Sequence, residues 1–333
     1  MEPDTWRWRT RAAGAAASTS LLALRAPSKE VPVSGNAPAT ASDAGEETGA
    51  WFRSDGAGPA VLLVTGYGMI LEQWWRTAAV LARDFRVLRF DHRGVGGREP
   101  FAPPYTVAAM ADDAVAGLDA AGEPHAHVYG ISLGGMVAQE IALRHPDRVR
   151  ALVLGATTAG GAATVPGERA ALSLFSRAAV LTEEERSWAA VPYLYAEATR
   201  ARHGERIARD IARAAESGAG LLTPAQQLVA AMTHSTRGRL RRIAAPTLVV
   251  HGAEDRILPV ENARRLTAAI PHAELSVWEG AAHVYPTDAP GADREIARFL
   301  RRHSPGHGRL QEALALVRDR LAAGHRSGAR AAP

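Results

Sequence analysis

His127-Val-Tyr-Gly-Ile-Ser132-Leu-Gly-Gly135 opens as a β-favouring run, breaks into Gly-x-Ser-x-Gly over 130–134, and continues into Met136-Val-Ala-Gln-Glu-Ile-Ala-Leu-Arg144, a helix-forming run. A serine at such a strand-to-helix corner sits on a strained turn, with its hydroxyl above the sheet and a helix N-terminus beneath it. That is a nucleophile's position. The same five residues also serve as a plain turn in which glycine only relieves crowding, so the rest of the chain has to decide.

Outward from this corner, short β-rich runs alternate with helical runs from residue 51 onward, the pattern of a mostly parallel sheet covered by helices. The expected strands are Val61–Thr65, Arg86–Asp91, His127–Ile131, Val149–Ala156, Thr247–Gly252 and Glu274–Trp278. The expected helices are Glu72–Arg83, Val107–Ala121, Leu133–His145, Val260–Ala269 and Arg294–Arg302. Trp51–Asp55 reads as the leading strand of a short antiparallel hairpin with the residues before it. Between about Gly160 and Arg239 the alternation stops, and the segments Arg169–Val180, Glu183–Ala190, Gly204–Ala215 and Pro224–Met232 all favour helix.

The domain reading is therefore an α/β core over 51–159 and 240–303, with a helical cap (lid) over 160–239 above the C-terminal edge of the sheet, where open α/β folds bind ligands. Residues 1–50 read as a disordered leader or linker. Residues 304–333 read as a basic tail with one amphipathic helix, whose Leu310, Leu314, Val317 and Leu321 share a face. Docking on the core is the plainer role for that helix, and self-association into a homodimer is the alternative.

The chain has 333 residues, 47% hydrophobic and 22% charged, enough to bury a large core. It contains no cysteine, which excludes disulfides, thiolate metal sites and a cysteine nucleophile. The net charge of +4 raises nucleic acid as a partner, but residues 51–300 carry 27 basic and 27 acidic side chains, and the excess lies in the tail. A neutral central domain argues against nucleic-acid binding. No run approaches the ~20 apolar residues of a membrane span. Trp6–Leu24 has a faint signal-peptide outline that Arg25 ends, so the reading is a cytoplasmic protein with export left open.

A serine hydroxyl needs a base within hydrogen-bond reach, itself oriented by a carboxylate. Both occur after Ser132, beyond later strands. Thr247-Leu-Val-Val-His-Gly252 runs into Ala253-Glu-Asp255-Arg-Ile-Leu-Pro259, and the next strand runs into Glu279-Gly-Ala-Ala-His283. Of the 12 histidines, His283 follows the last strand in a small-residue loop that could swing it over Ser132. His92, His125, His127 and His145 read as surface or capping residues, and His251, inside a strand, as a packed core residue. The pair His125 and His127 has no third ligand at metal spacing, so no metal is expected. Glu254 competes with Asp255 for the acid, but the Gly-x-x-Asp spacing puts Asp255 at the loop apex and leaves Glu254 solvated or paired with an arginine.

A tetrahedral intermediate also needs backbone N–H donors aimed at its oxyanion. Leu133 follows the nucleophile at a helix N-terminus, and Tyr67 lies in the loop Val64-Thr-Gly-Tyr-Gly-Met69 after the first core strand. Gly66-Tyr-Gly68 as a dinucleotide turn lacks its third glycine, so no cofactor is expected. Met69, Trp74, Trp75, Met136, Tyr193, Tyr195 and Tyr285 are candidates for an apolar acyl site, though such residues more often belong to the core.

Residues 51–303 resemble the α/β-hydrolase superfamily. Asp91-His-Arg-Gly-Val-Gly96, Gly130-Ile-Ser-Leu-Gly-Gly-Met-Val-Ala-Gln139, Arg144-His-Pro-Asp-Arg-Val149, His251-Gly-Ala-Glu-Asp-Arg-Ile-Leu-Pro259 and Gly280-Ala-Ala-His283 are similar to those of 3-oxoadipate enol-lactonase-like and related esterase members. The resemblance implies the α/β-hydrolase fold, Ser132 as nucleophile, His283 as base, Asp255 as its orienting acid, and the Tyr67 and Leu133 amides as oxyanion hole. Thr65-Gly66 stands where many members have His-Gly, and Gly96-Gly97-Arg98 where Gly-Arg-Ser is common. The expected activity is hydrolysis of a small-molecule carboxylic ester or (enol-)lactone through an acyl-enzyme. Two alternatives share the fold: an acyltransferase or cofactor-free perhydrolase using the same triad, and a slow-turnover ligand sensor.

Overall fold

Among the described residues seven strands build one sheet: β1 Phe52–Asp55, β2 Ala60–Val64, β3 Arg86–Phe90, β4 Ala126–Ile131, β5 Val149–Gly155, β6 Thr247–Gly252 and β7 Glu274–Trp278. Their order is β1-β3-β2-β4-β5-β6-β7, parallel throughout except for β1. This computed structural model describes residues 51–100, 104–176, 181, 183–214 and 223–306. The expected leader, the tail helix and residues 177–180 lie outside them.

The strands are legible as apolar runs because a parallel sheet is buried on both faces. Alternate side chains divide between two cores: Leu62, Val64 and Val128 pack on one face, and Val61, Leu63 and Tyr129 on the other. β1 pairs antiparallel with β3, Phe52 opposite Phe90 and Asp55 opposite Val87, while the residues before Trp51, on which the expected hairpin depends, lie outside the described residues. Its partner lies more than thirty positions along the chain, supplied by the open edge of the sheet, and Arg89 reinforces the pairing through Asp55 at 2.6 Å.

The helices in chain order are α1 Trp75–Leu81, α2 Val107–Ala120, α3 Leu133–Arg144, α4 Arg169–Ser176, α5 Glu183–Leu194, α6 Glu197–Arg202, α7 Gly204–Ala214, α8 Thr223–Thr233, α9 Glu261–Ala269, α10 Tyr285–Asp288 and α11 Gly291–Arg302. The Thr106 hydroxyl caps α2 by accepting the Ala109 N–H at 3.1 Å. The expected helix over 72–83 is a 3₁₀ turn, Leu71–Trp74, followed by the shorter α1. The Leu71 N–H is taken by Asp91 Oδ1 at 2.6 Å, which fixes the entry to that turn from outside the helix.

Helices α4 to α8 form the insertion. Its ends meet: Gly160 bridges Ser235, and the Thr236 N–H donates to the Ala159 carbonyl at 2.8 Å, so the chain leaves and rejoins the core at one place. Within it Val191 and Tyr195 of α5 and its C-terminal turn pack on Ile207 and Ile211 of α7, each pair four residues apart on its helix. Of these α-helices, α6 and α10 escape the sequence reading, and α5 continues past Ala190 through Pro192. No helix among the described residues is long and apolar enough to cross a membrane.

Candidate active site

Ser132 sits between β4 and α3 with φ 56° and ψ −120°, a conformation that costs an L-residue energy. The corner is held from both sides. The Ser132 N–H donates to the Gly155 carbonyl at 2.9 Å, and its own carbonyl accepts the Gly135 N–H at 2.9 Å and the Thr157 hydroxyl at 2.7 Å. Gly130 and Gly134 are required by crowding, since a Cβ on either would overlap backbone, that of Gly134 in the first case and the Val64 carbonyl in the second.

The loops after β6 and β7 bring Asp255 and His283 together. Asp255, buried in the loop after β6, accepts the Ile257 and Leu258 N–H groups on Oδ1, both at 2.9 Å, and faces His283 Nδ1 with Oδ2 at 2.7 Å. Burial alone would raise this carboxyl. The charge of His283 and hydrogen bonds from His251 and His283 outweigh it and hold Asp255 well below the usual carboxylate range. With Nδ1 facing Asp255, Nε2 is the other ring nitrogen of His283. Glu254 is exposed.

His251 was legible only as a core residue. It is fully buried, and it also touches the site: its Nε2 lies 2.6 Å from the Leu258 carbonyl and 3.2 Å from Asp255 Oδ2. His92 and His127, expected at the surface or at caps, are corrections, because both are fully buried at strand ends of a sheet covered on both faces. His92 Nε2 donates to the Thr65 carbonyl at 3.2 Å, and His127 Nε2 meets the Ser304 hydroxyl at 2.9 Å. Burial lowers both imidazoles to about 4, so each is neutral at ordinary pH.

The loop carrying Tyr67 is tied at each end to the turn after β3, by His92 at Thr65 and by Asp91 at Leu71. Burial raises the Asp91 carboxyl to about 6 against the opposing bond from Leu71. Leu133 is buried at the first position of α3, where backbone N–H groups lack partners within the helix.

Ser132, His283 and Tyr67 line one cavity of about 210 Å³. Of the proposed acyl-site residues, Met69, Trp74 and Tyr195 line it. Met136 and Tyr285 pack in the two cores, while Trp75 and Tyr193 lie beneath the guanidinium groups of Arg76 and Arg256 at 4.1 and 4.9 Å. From the insertion, Phe175 of α4, Leu194 of α5 and Asp210 of α7 line the cavity. Asp210 makes its wall partly polar: it lies 3.4 Å from Arg76 and accepts the Thr287 hydroxyl at 2.7 Å. Among the described residues no group of three or more His, Asp and Glu side chains could hold a metal ion.

Residues 59–290 match the model of the alpha/beta hydrolase fold family, and the chain belongs to that family. RutD of Variovorax paradoxus (strain S110), by its name a carbamate hydrolase, is 33% identical over 257 residues, covering 75% of this chain and 94% of its own. Among solved structures, a hydrolase from Pseudomonas aeruginosa PA01 is 30% identical with a TM-score of 0.65, covering 75% of this chain and 93% of that one. The enol-lactonase from Burkholderia xenovorans LB400 is 25% identical with a TM-score of 0.67, covering 75% and 95%.

Proposed function

We propose that the protein is a serine hydrolase that cleaves a carboxylic ester, a lactone or an enol lactone through an acyl-enzyme. The observation that carries the reading is the 2.7 Å contact of His283 with Asp255 at a cavity whose wall also includes Ser132 on its strained turn. In this reading Ser132 Oγ attacks the carbonyl carbon while His283 Nε2 takes its proton, and the alcohol leaves with that proton. Asp255 holds the imidazole tautomer. The Tyr67 and Leu133 amides stabilise the oxyanion. Water then attacks the acyl carbon, giving a proton to His283, and Ser132 recovers it as the acid departs.

A carbamate is the second reading, favoured by the name of the RutD relative. It differs only in the group flanking the carbonyl, so the same residues serve. Purified protein profiled against p-nitrophenyl esters of graded chain length, lactones and carbamates separates the substrates. Ser132→Ala and His283→Ala are expected to lower turnover by several orders of magnitude with the fold intact. Either variant turning over at the wild-type rate overturns the mechanism.

A further inference from the structure

We infer that Gln227, on the insertion helix α8, is a positioning residue for the oxyanion loop, so that the insertion and the oxyanion hole are coupled. The inference rests on the reading in which the Tyr67 amide is an oxyanion donor. The Gly68 N–H, one peptide beyond Tyr67, donates to Gln227 Oε1 at 2.8 Å across 159 positions of chain.

The burial of Gln227 itself calls for a cause. The inward stripe of α8 is Thr223, Gln227 and Ala230, while Val229 and Met232 face solvent. A glutamine with no exposed surface on that stripe is costly unless it is hydrogen-bonded. Its Oε1 takes the Gly68 N–H, and its side chain also pairs with the Tyr105 hydroxyl, so the burial is compensated.

The loop explains what that oxygen does. The Met69 N–H returns to the Gly66 carbonyl at 3.3 Å, which makes 66–69 a four-residue turn with Tyr67 and Gly68 in the middle. Gly68 has φ +65° while Tyr67 keeps a negative φ, the combination of a type II turn, which needs a positive φ at its third residue. The central peptide of such a turn is the unit that flips between turn types, and the turn's own hydrogen bond leaves it free to do so. Gln227 grips its N–H. With the Tyr67–Gly68 peptide pinned, the backbone on either side of Tyr67 keeps one orientation, and the oxyanion donor is preorganised.

The grip comes from the insertion, and it is not alone. The Tyr67 ring packs edge-on against Phe175 of α4 at 5.2 Å, and Thr223 of α8 sits so close to Gly94 that a side chain there would overlap it. Displacing the insertion therefore releases the central peptide, and the hole is complete only when α8 is seated.

The test uses the full chain with a p-nitrophenyl ester and a boronic acid as transition-state mimic. Gln227→Met and Gln227→Leu remove the acceptor; Gln227→Glu keeps one. Either apolar variant is expected to lower kcat and boronate affinity together by about 10- to 100-fold, with KM little changed. Gln227→Glu is expected to recover most of both. Wild-type kcat and boronate affinity in the apolar variants would overturn the inference, as would a Gln227→Glu variant as impaired as Gln227→Met. Fluorophosphonate labelling keeps the two readings apart: a wild-type Ser132 that does not label refutes the serine-hydrolase reading, whereas a labelled Ser132 with unimpaired Gln227→Met refutes only the coupling.

Discussion

Replacing Ser132 with glycine separates the strain of the strand-to-helix corner from the chemistry of its hydroxyl. At φ 56° and ψ −120° a residue with a Cβ pays about 1–3 kcal/mol that glycine does not. Glycine gives back roughly 0.5–1 kcal/mol through the greater freedom of the unfolded chain. The central balance is a folded state stabilised by about 1.3 kcal/mol, which in a domain of this size corresponds to roughly 3–5 °C. The control is Ser132→Ala, which loses the hydroxyl but keeps the Cβ and with it the strain. Both variants are inactive in the proposed mechanism, so scanning calorimetry compares them without ligand or turnover. Ser132→Gly is expected to melt above Ser132→Ala. A glycine variant melting at or below the alanine variant would refute the claim that the corner stores strain.

Three further outcomes follow from the same contacts. Asp255→Ala is expected to lower kcat by about 10⁴-fold while Glu254→Ala leaves it unchanged, because only Asp255 meets His283; steady-state kinetics checks both. Gly134→Ala drives a methyl group into the Val64 carbonyl and is expected to cost about 2–5 kcal/mol, read from urea unfolding. Asp293 is buried, accepts the Thr77 hydroxyl at 3.0 Å, and is raised by that burial from 3.8 to about 7. The folded state therefore keeps a proton that the unfolded chain releases near pH 4, so stability falls as pH rises from about 4 to 7, by up to about 4 kcal/mol. Asp293→Asn keeps the acceptor for Thr77 and is expected to flatten that decline, leaving the variant more stable than wild type above pH 7; melting curves against pH decide it.

The sheet was legible because its strands are apolar runs punctuated by glycine, aspartate and histidine, and β6 and β7 fall on the expected residues without adjustment. Asp255 and His283 were legible for a related reason: each follows a strand by a few residues, and strands in parallel register bring their following loops to one edge. Helices α6 and α10 were not, being too short for a periodic signal, and α5 hid its last turn behind Pro192.

What the sequence by itself determined is local: which segments bury both faces, where the backbone must tolerate a positive φ, and which side chains stand at the ends of strands. What only the tertiary structure decided are the pairings between distant segments. β1 chose β3, His251 came to rest beside Asp255, and Gln227 reached Gly68, none of them marked by any pattern in the residues concerned. Hydrophobic periodicity reports the free energy of burying a face, which depends on each residue and its near neighbours. The identity of the group that meets a buried polar atom depends on how whole elements pack, and that is settled by the complete core.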